Sequence, residues 1–181
     1  MNISACDIPG LSIIEPRVFG DARGYFFESW SEQRYESIVK SRFVQDNISF
    51  SRRGILRGLH FQNPNGQGKL IQVLQGEVYD VAVDLRRSSP TFRKWHGLIL
   101  SSENKRQFYI PPGFAHGFVV TSETALFYYK CTEAYSQKDE MALKWDDPEL
   151  AIQWPVDNPT ISERDAKGLR LQDIPEDRLY P

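Results

Sequence analysis

Histidine is scarce in this chain of 181 residues: there are three, His60, His96 and His116, and no His-x-His pair among them. Since small β-barrels that carry a metal usually present such a pair with a carboxylate, the sequence predicts no bound metal and no cofactor. Cysteine is scarcer still. Cys6 and Cys131 are too few for a disulfide framework and lack the spacing of a metal clip, so both read as inert packing residues. No apolar run approaches the ~20 residues that a helical membrane span needs. The first residues lack the basic-then-apolar pattern of a secretory leader, which leaves the expectation of a cytoplasmic protein without a membrane partner. Charge of one sign is also missing: 22 Lys and Arg against 24 Asp and Glu give a net charge of -2. No global field would draw in nucleic acid, and an anionic ligand would have to be held by locally placed cations. Gly-x-Ser-x-Gly is absent, and Gly66-Gln67-Gly68-Lys69 lacks the spacing and following helix of a phosphate loop.

Aromatic residues, at 13%, are plentiful, and short runs rich in Val, Ile, Phe and Tyr alternate with turn residues. That pattern predicts an all-β jelly-roll barrel. Strands are expected at 11–14, 25–28, 43–51, 55–62, 69–74, 77–85, 95–100, 106–110, 117–120 and 125–132. Ser31 is expected to cap a short helix whose apolar face is Tyr35, Ile38 and Val39. Residues 146–181 read differently, with a helical turn near 149–152 and a one-turn helix capped by Ser162 and ended by Gly168. They are expected to cover the β body, so that 1–181 forms one unit.

Polar residues on strands raise a choice between solvent and an interior cavity. Asp80 and Asp84 share a face opposite Tyr79, Val81 and Val83, and Gln45 and Asn47 share one opposite Val44 and Ile48. Strict alternation puts Arg57 and His60 on opposite faces, but a bulge at Gly58 would bring them together. On spacing alone, His60 fits a structural strand histidine as well as a base, and Lys69 fits a solvent-exposed lysine as well as an electrophilic one.

The runs Phe19-Gly20-Asp21-Ala22-Arg23-Gly24-Tyr25-Phe26-Phe27-Glu28, Gln45-Asp46-Asn47, Leu56-Arg57-Gly58-Leu59-His60-Phe61-Gln62, Gly68-Lys69-Leu70 and Gly113-Phe114-Ala115-His116-Gly117-Phe118, with Phe127-Tyr128-Tyr129-Lys130, occur in the order of one family and span most of the chain. They closely resemble the dTDP-4-dehydrorhamnose 3,5-epimerase family. The resemblance implies a metal-free, cupin-like jelly roll, a homodimer, and a dTDP-sugar substrate inverted at the two carbons beside its ketone. It implies His60 as base, Asp165 as the carboxylate that orients it, Tyr129 as acid and Lys69 beside the ketone oxygen. Arg23 and Arg57 would clamp the diphosphate, Gln45 and Asn47 would contact it or its sugars, and Phe26 and Glu28 would hold the thymidine end. His116, Glu140 and Arg164 complete the implied binding set. Asp84 is expected to serve as an inward carboxylate that orients a histidine.

Three positions depart from the family pattern: Ile48 replaces a histidine, Arg164 a lysine and Ala134 an aromatic residue. The last leaves room for an enzyme that inverts one carbon, or for a ketoisomerase of dTDP-deoxysugars. A non-catalytic nucleotide-sugar-binding cupin is a third reading, although a binding module has no need for an acid and a base.

Overall fold

A computed structural model describes residues 1–181. Two antiparallel sheets carry the fold. The six-stranded sheet has the order β1 (Asn2–Ala5), β2 (Ser12–Glu15), β10 (Gln107–Ile110), β7 (Lys69–Gln75), β12 (Thr124–Cys131), β5 (Gln45–Arg52). The five-stranded sheet has the order β13 (Glu140–Ala142), β6 (Leu56–Gln62), β11 (Phe114–Val120), β8 (Glu77–Asp84), β9 (Trp95–Ser101). A separate hairpin, β3 (Phe19–Asp21) with β4 (Gly24–Phe26), stands apart from both. The order of the strands, with neighbours far apart in sequence, is that of a cupin-like jelly roll. No helix is long and apolar enough to cross a membrane.

One core fills the space between the sheets, where Ile71, Val73, Phe108 and Phe127 meet Val78, Ala82, Leu100 and Phe118. The odd-numbered residues of β8, Val81 and Val83, turn to the other side and join Leu143, Leu150, Leu171, Ile174 and Leu179 from the C-terminal segment. That segment therefore covers the outer face of the five-stranded sheet. Its cover on one side, with the core between the sheets on the other, explains why β8 is buried on both faces; Asp80 and Asp84 lie on the interior side. Tyr35, Val39, Leu70 and Tyr109 form a third cluster under the short helix α1 (Glu32–Tyr35).

Several local expectations change in detail. Ser31 stands at the N-cap of α1 but its side chain makes no cap bond. The turn at 149–152 is hydrogen-bonded from Leu150 and Ala151 to Asp147 and stops at once, because Ala151 takes φ 47°, outside the helical range. Ser162 does cap the one-turn helix α2 (Glu163–Ala166), accepting from Asp165 N. Gly168 follows it for lack of room: a Cβ there would lie 3.1 Å from Asp165 O and 3.1 Å from Lys144 N.

Asp84 serves structure and orients no histidine, because its oxygens are already occupied. It accepts from Arg86 Nε at 2.8 Å, Ser89 Oγ at 2.6 Å and Thr91 Oγ1 at 2.7 Å. Burial pushes this carboxyl up, but the arginine and hydroxyl donors outweigh it and hold the pKa below the ordinary value. A depressed pKa means stability that is fully present above the unfolded value, about pH 4, and is lost as pH falls through the folded one. Asp84→Ala is expected to cost roughly 3 kcal/mol at pH 7, and less as the pH approaches 3, in urea titrations that follow the unfolding midpoint.

Candidate active site

A cavity of about 520 Å3 opens between the two sheets and under the C-terminal segment. Its lining includes Arg57 and His60 from β6, His116 from β11, Tyr129 from β12, and Arg164 and Asp165 from α2. Local geometry explains how each arrives. Between β6 and β11 the pairing shifts, with His60 opposite His116 but Arg57 opposite Phe118, so three steps on β6 match two on β11. This bulge turns Arg57 and His60 to the same side. Gly58 permits it, with φ 104° and a backbone so close that a Cβ would lie 2.6 Å from His116 O.

Register decides which of the adjacent Tyr128 and Tyr129 faces the cavity. Phe127, Tyr129 and Cys131 face inward from β12, while Tyr128 turns outward and donates to Asp46. On β5, Gln45, Asn47 and Ser49 point in and are partly covered, whereas Asp46, Ile48 and Phe50 point out and are exposed, as is Val44 just before the strand. Asn47 Nδ2 donates to Cys131 Sγ at 3.6 Å, and Asn47 Oδ1 accepts from Gln45 Nε2 at 2.9 Å.

His60 and Asp165 form a short, partly buried contact. His60 Nε2 donates to Asp165 Oδ1 at 2.6 Å, the tautomer that a carboxylate partner requires, which leaves Nδ1 free toward the cavity. Glu140 Oε1 lies 3.8 Å from that nitrogen. Burial pushes the Asp165 carboxyl up, but its bond to His60, the Ser162 hydroxyl and the Gly58 N–H hold it below its ordinary pKa, so it stays an anion. The segment carrying it is laid beside β6 by the Ile55 to Thr160 bridge and by Leu56 N donating to Thr160 O.

Lys69 begins β7 opposite Cys131 and is buried; burial lowers its pKa against the pull of Cys131, Glu140 and Asp80. No side chain accepts a hydrogen bond from its ammonium or stands within ion-pair distance of it. Tyr129 is pushed up to about 12, first by burial and then by Cys131 and Glu140, against Arg57. It therefore keeps its proton at neutral pH. His116 Nε2 donates to both oxygens of the fully buried Asp80, at 3.1 and 3.0 Å. Asp80, not Asp84, is thus the carboxylate that orients a histidine, and the even-numbered face that it shares with Ala82 lines the interior.

Arg23, Phe26 and Glu28 do not reach this cavity within one protomer. They lie on or just beyond the β3–β4 hairpin, where Arg23 turns back on Asp21 at 2.5 Å, Phe26 is 69% exposed and Glu28 pairs with Arg34 at 3.4 Å. Two residues that no motif had marked do belong at the site. Tyr135 joins Glu140 and Arg164 at the rim, and Ser49 lines the wall with a buried hydroxyl that has no partner. Alternation beyond Gln45 and Asn47 would have found Ser49, whereas Tyr135 lies on a loop that no periodicity describes. Nowhere do three His, Cys, Asp or Glu side chains converge in a way that could hold a metal ion.

Residues 5–173 match the family model described as dTDP-4-dehydrorhamnose 3,5-epimerase. Proteins of that name are similar to this chain over 176 residues: one from Shigella flexneri at 52% identity and one from Pseudomonas aeruginosa at 53%, each match covering 96% of this chain and 97% of the other. A crystal structure of dTDP-6-deoxy-D-glucose-3,5-epimerase from Legionella pneumophila, in complex with dTDP-4-keto-L-rhamnose, superposes with a TM-score of 0.96 at 52% identity, over 99% of this chain and 97% of that one.

Proposed function

Because this chain belongs to the dTDP-4-dehydrorhamnose 3,5-epimerase family, we propose that it converts dTDP-4-dehydro-6-deoxy-D-glucose into dTDP-4-dehydro-L-rhamnose by inverting the carbons on either side of the ketone. The observation that supports this reading best is the placement of His60 and Tyr129 on different sheets, so that a base and an acid face each other across one cavity. Inversion next to a carbonyl needs that arrangement: a proton leaves one face of the ring and another returns to the opposite face.

His60 Nδ1 takes the proton, and Asp165, a positioning residue, holds the ring through Nε2 and balances the charge that develops. The enolate oxygen forms near Lys69, whose buried ammonium is worth more in a site shielded from water than it would be in solution. Tyr129, still protonated at neutral pH, supplies the second proton. Arg57 is partly fixed by donating from Nε to Ser51 Oγ at 3.0 Å, which leaves the ends of its guanidinium to grip the diphosphate. The test is a proton NMR time course on the 4-keto nucleotide sugar. The D-configured spectrum should give way to that of the L-sugar, and persistence of the starting configuration would refute the reading.

The substrate grip also calls for a second copy of the chain. Arg23 and Phe26 are exposed on a hairpin remote from their own cavity, and β5 is an edge strand whose outer residues Ile48 and Phe50 are bare. Edge strands of this kind are a usual pairing surface. In the homodimer, the hairpin of one subunit, with Arg23, Phe26 and Glu28, completes the nucleotide end of its partner's site. Mixing inactive Arg23→Ala and His60→Ala proteins is expected to restore activity, because each mixed dimer holds one intact site. No recovery after subunit exchange would place Arg23 in its own protomer's site or outside the reaction.

A further inference from the structure

At the cavity rim, one phenol hydroxyl meets side chains from two elements, Glu140 on β13 and Arg164 on α2. Tyr135 lies on the loop between β12 and β13, and its backbone N–H donates to Gln45 Oε1 at 2.9 Å on β5. Its hydroxyl donates to Glu140 Oε2 at 2.8 Å and accepts from Arg164 Nη1 at 3.3 Å. Arg164 closes the triangle by pairing with Glu140 Oε2 through its other terminal nitrogen. It is also the immediate neighbour of Asp165 on α2, which has only four residues. A one-turn helix has little stability of its own, so side-chain ties decide where its residues point.

We propose that Tyr135 is a positioning residue for proton abstraction: its hydroxyl, shared between Glu140 and Arg164, ties the loop at Gln45 to the helix that aims Asp165 at His60. The inference rests on the epimerase reading and goes beyond it by coupling the nucleotide end of the cavity to the base. The fork of Arg164 is what makes the tie possible, since its two terminal nitrogens take two partners in fixed directions, whereas an ammonium has no such geometry. Both Tyr135 oxygen contacts lie on Glu140 Oε2 or on Arg164, which leaves Glu140 Oε1 on the side of His60. A substrate seated against Gln45 therefore meets a base that is already aligned.

The experiment is a double-mutant cycle of Tyr135→Phe and Arg164→Lys. Tyr135 is 48% exposed and its ring is kept by phenylalanine, so both variants are expected to fold with melting temperatures close to that of the parent. Each single change should lower kcat about tenfold with KM changed less than about threefold, and the double variant should be no slower than the slower single one. A second readout does not depend on turnover: the downfield proton resonance of the His60 to Asp165 bond should broaden in both single variants. Losses that multiply in the double variant, or parental kcat with an unchanged resonance in Tyr135→Phe, would overturn the proposal. If the parent protein shows no epimerase activity, the functional reading fails by itself, and the resonance still decides whether the tie exists.

Discussion

Replacing His60 with alanine is expected to lower turnover by about 10³ to 10⁴-fold and to abolish solvent exchange at both carbons flanking the ketone. The effect should be that large because Nδ1 of His60 is the free nitrogen of the one histidine aligned by Asp165, and His116 cannot replace it. His116 spends Nε2 on Asp80, and burial, against Asp80, lowers its pKa. Alanine also strands Asp165 at the cavity wall, so His60→Asn is the sharper variant: it keeps a donor for the carboxylate and removes only the base. Both variants should show the same loss when product formation and deuterium uptake are followed by NMR. A His60→Asn protein that still exchanges either proton would mean that another group takes that proton.

Tyr129→Phe is expected to separate the two halves of the reaction. Proton removal by His60 should persist, so deuterium should still enter the substrate, but it should return from the face it left. Inverted product should fall by about 10²-fold or more, the range that general-acid catalysis contributes. The substitution removes one hydroxyl and leaves the ring, which packs against Phe127 with centroids 5.8 Å apart, so folding should survive. Tyr128→Phe is the internal control, since its hydroxyl meets Asp46 and Lys130 outside the cavity. Equal losses in the two variants would contradict the inward assignment of Tyr129.

Most of the barrel was legible because β-strands buried on at least one face repeat apolar residues every second position, and turn residues punctuate them. The strands that escaped notice, β1, β3 and β13, have three or four residues each and little burial, so alternation had no length over which to appear. The solvent-or-cavity choice for β8 could not be made from its own residues. What decides it is Leu143, Leu150, Leu171 and Ile174, far along the chain: they pack on Val81 and Val83, so the apolar face is the one under the C-terminal segment and the Asp80 face is left turned to the interior between the sheets. The same limit explains the exchange of roles between Asp80 and Asp84. Both carboxylates point from one strand, and only the partners beyond it, His116 for one and Arg86 for the other, tell them apart. The bulge at Gly58 was readable as a possibility, because glycine is the residue that tolerates it. Confirmation needed the register of β11. Arg23, Phe26 and Glu28 lie at the other extreme: no feature of the sequence shows that their hairpin stands clear of its own cavity.

The central claim, that one base and one acid on opposite walls invert two centres beside a single ketone, is tested most directly by running the reaction in deuterated water. The prediction is deuterium at both C3 and C5 of the inverted sugar, with uptake at both lost together in His60→Asn. Deuterium at one carbon only would identify an epimerase of a single centre, and its absence from both would contradict the catalytic account.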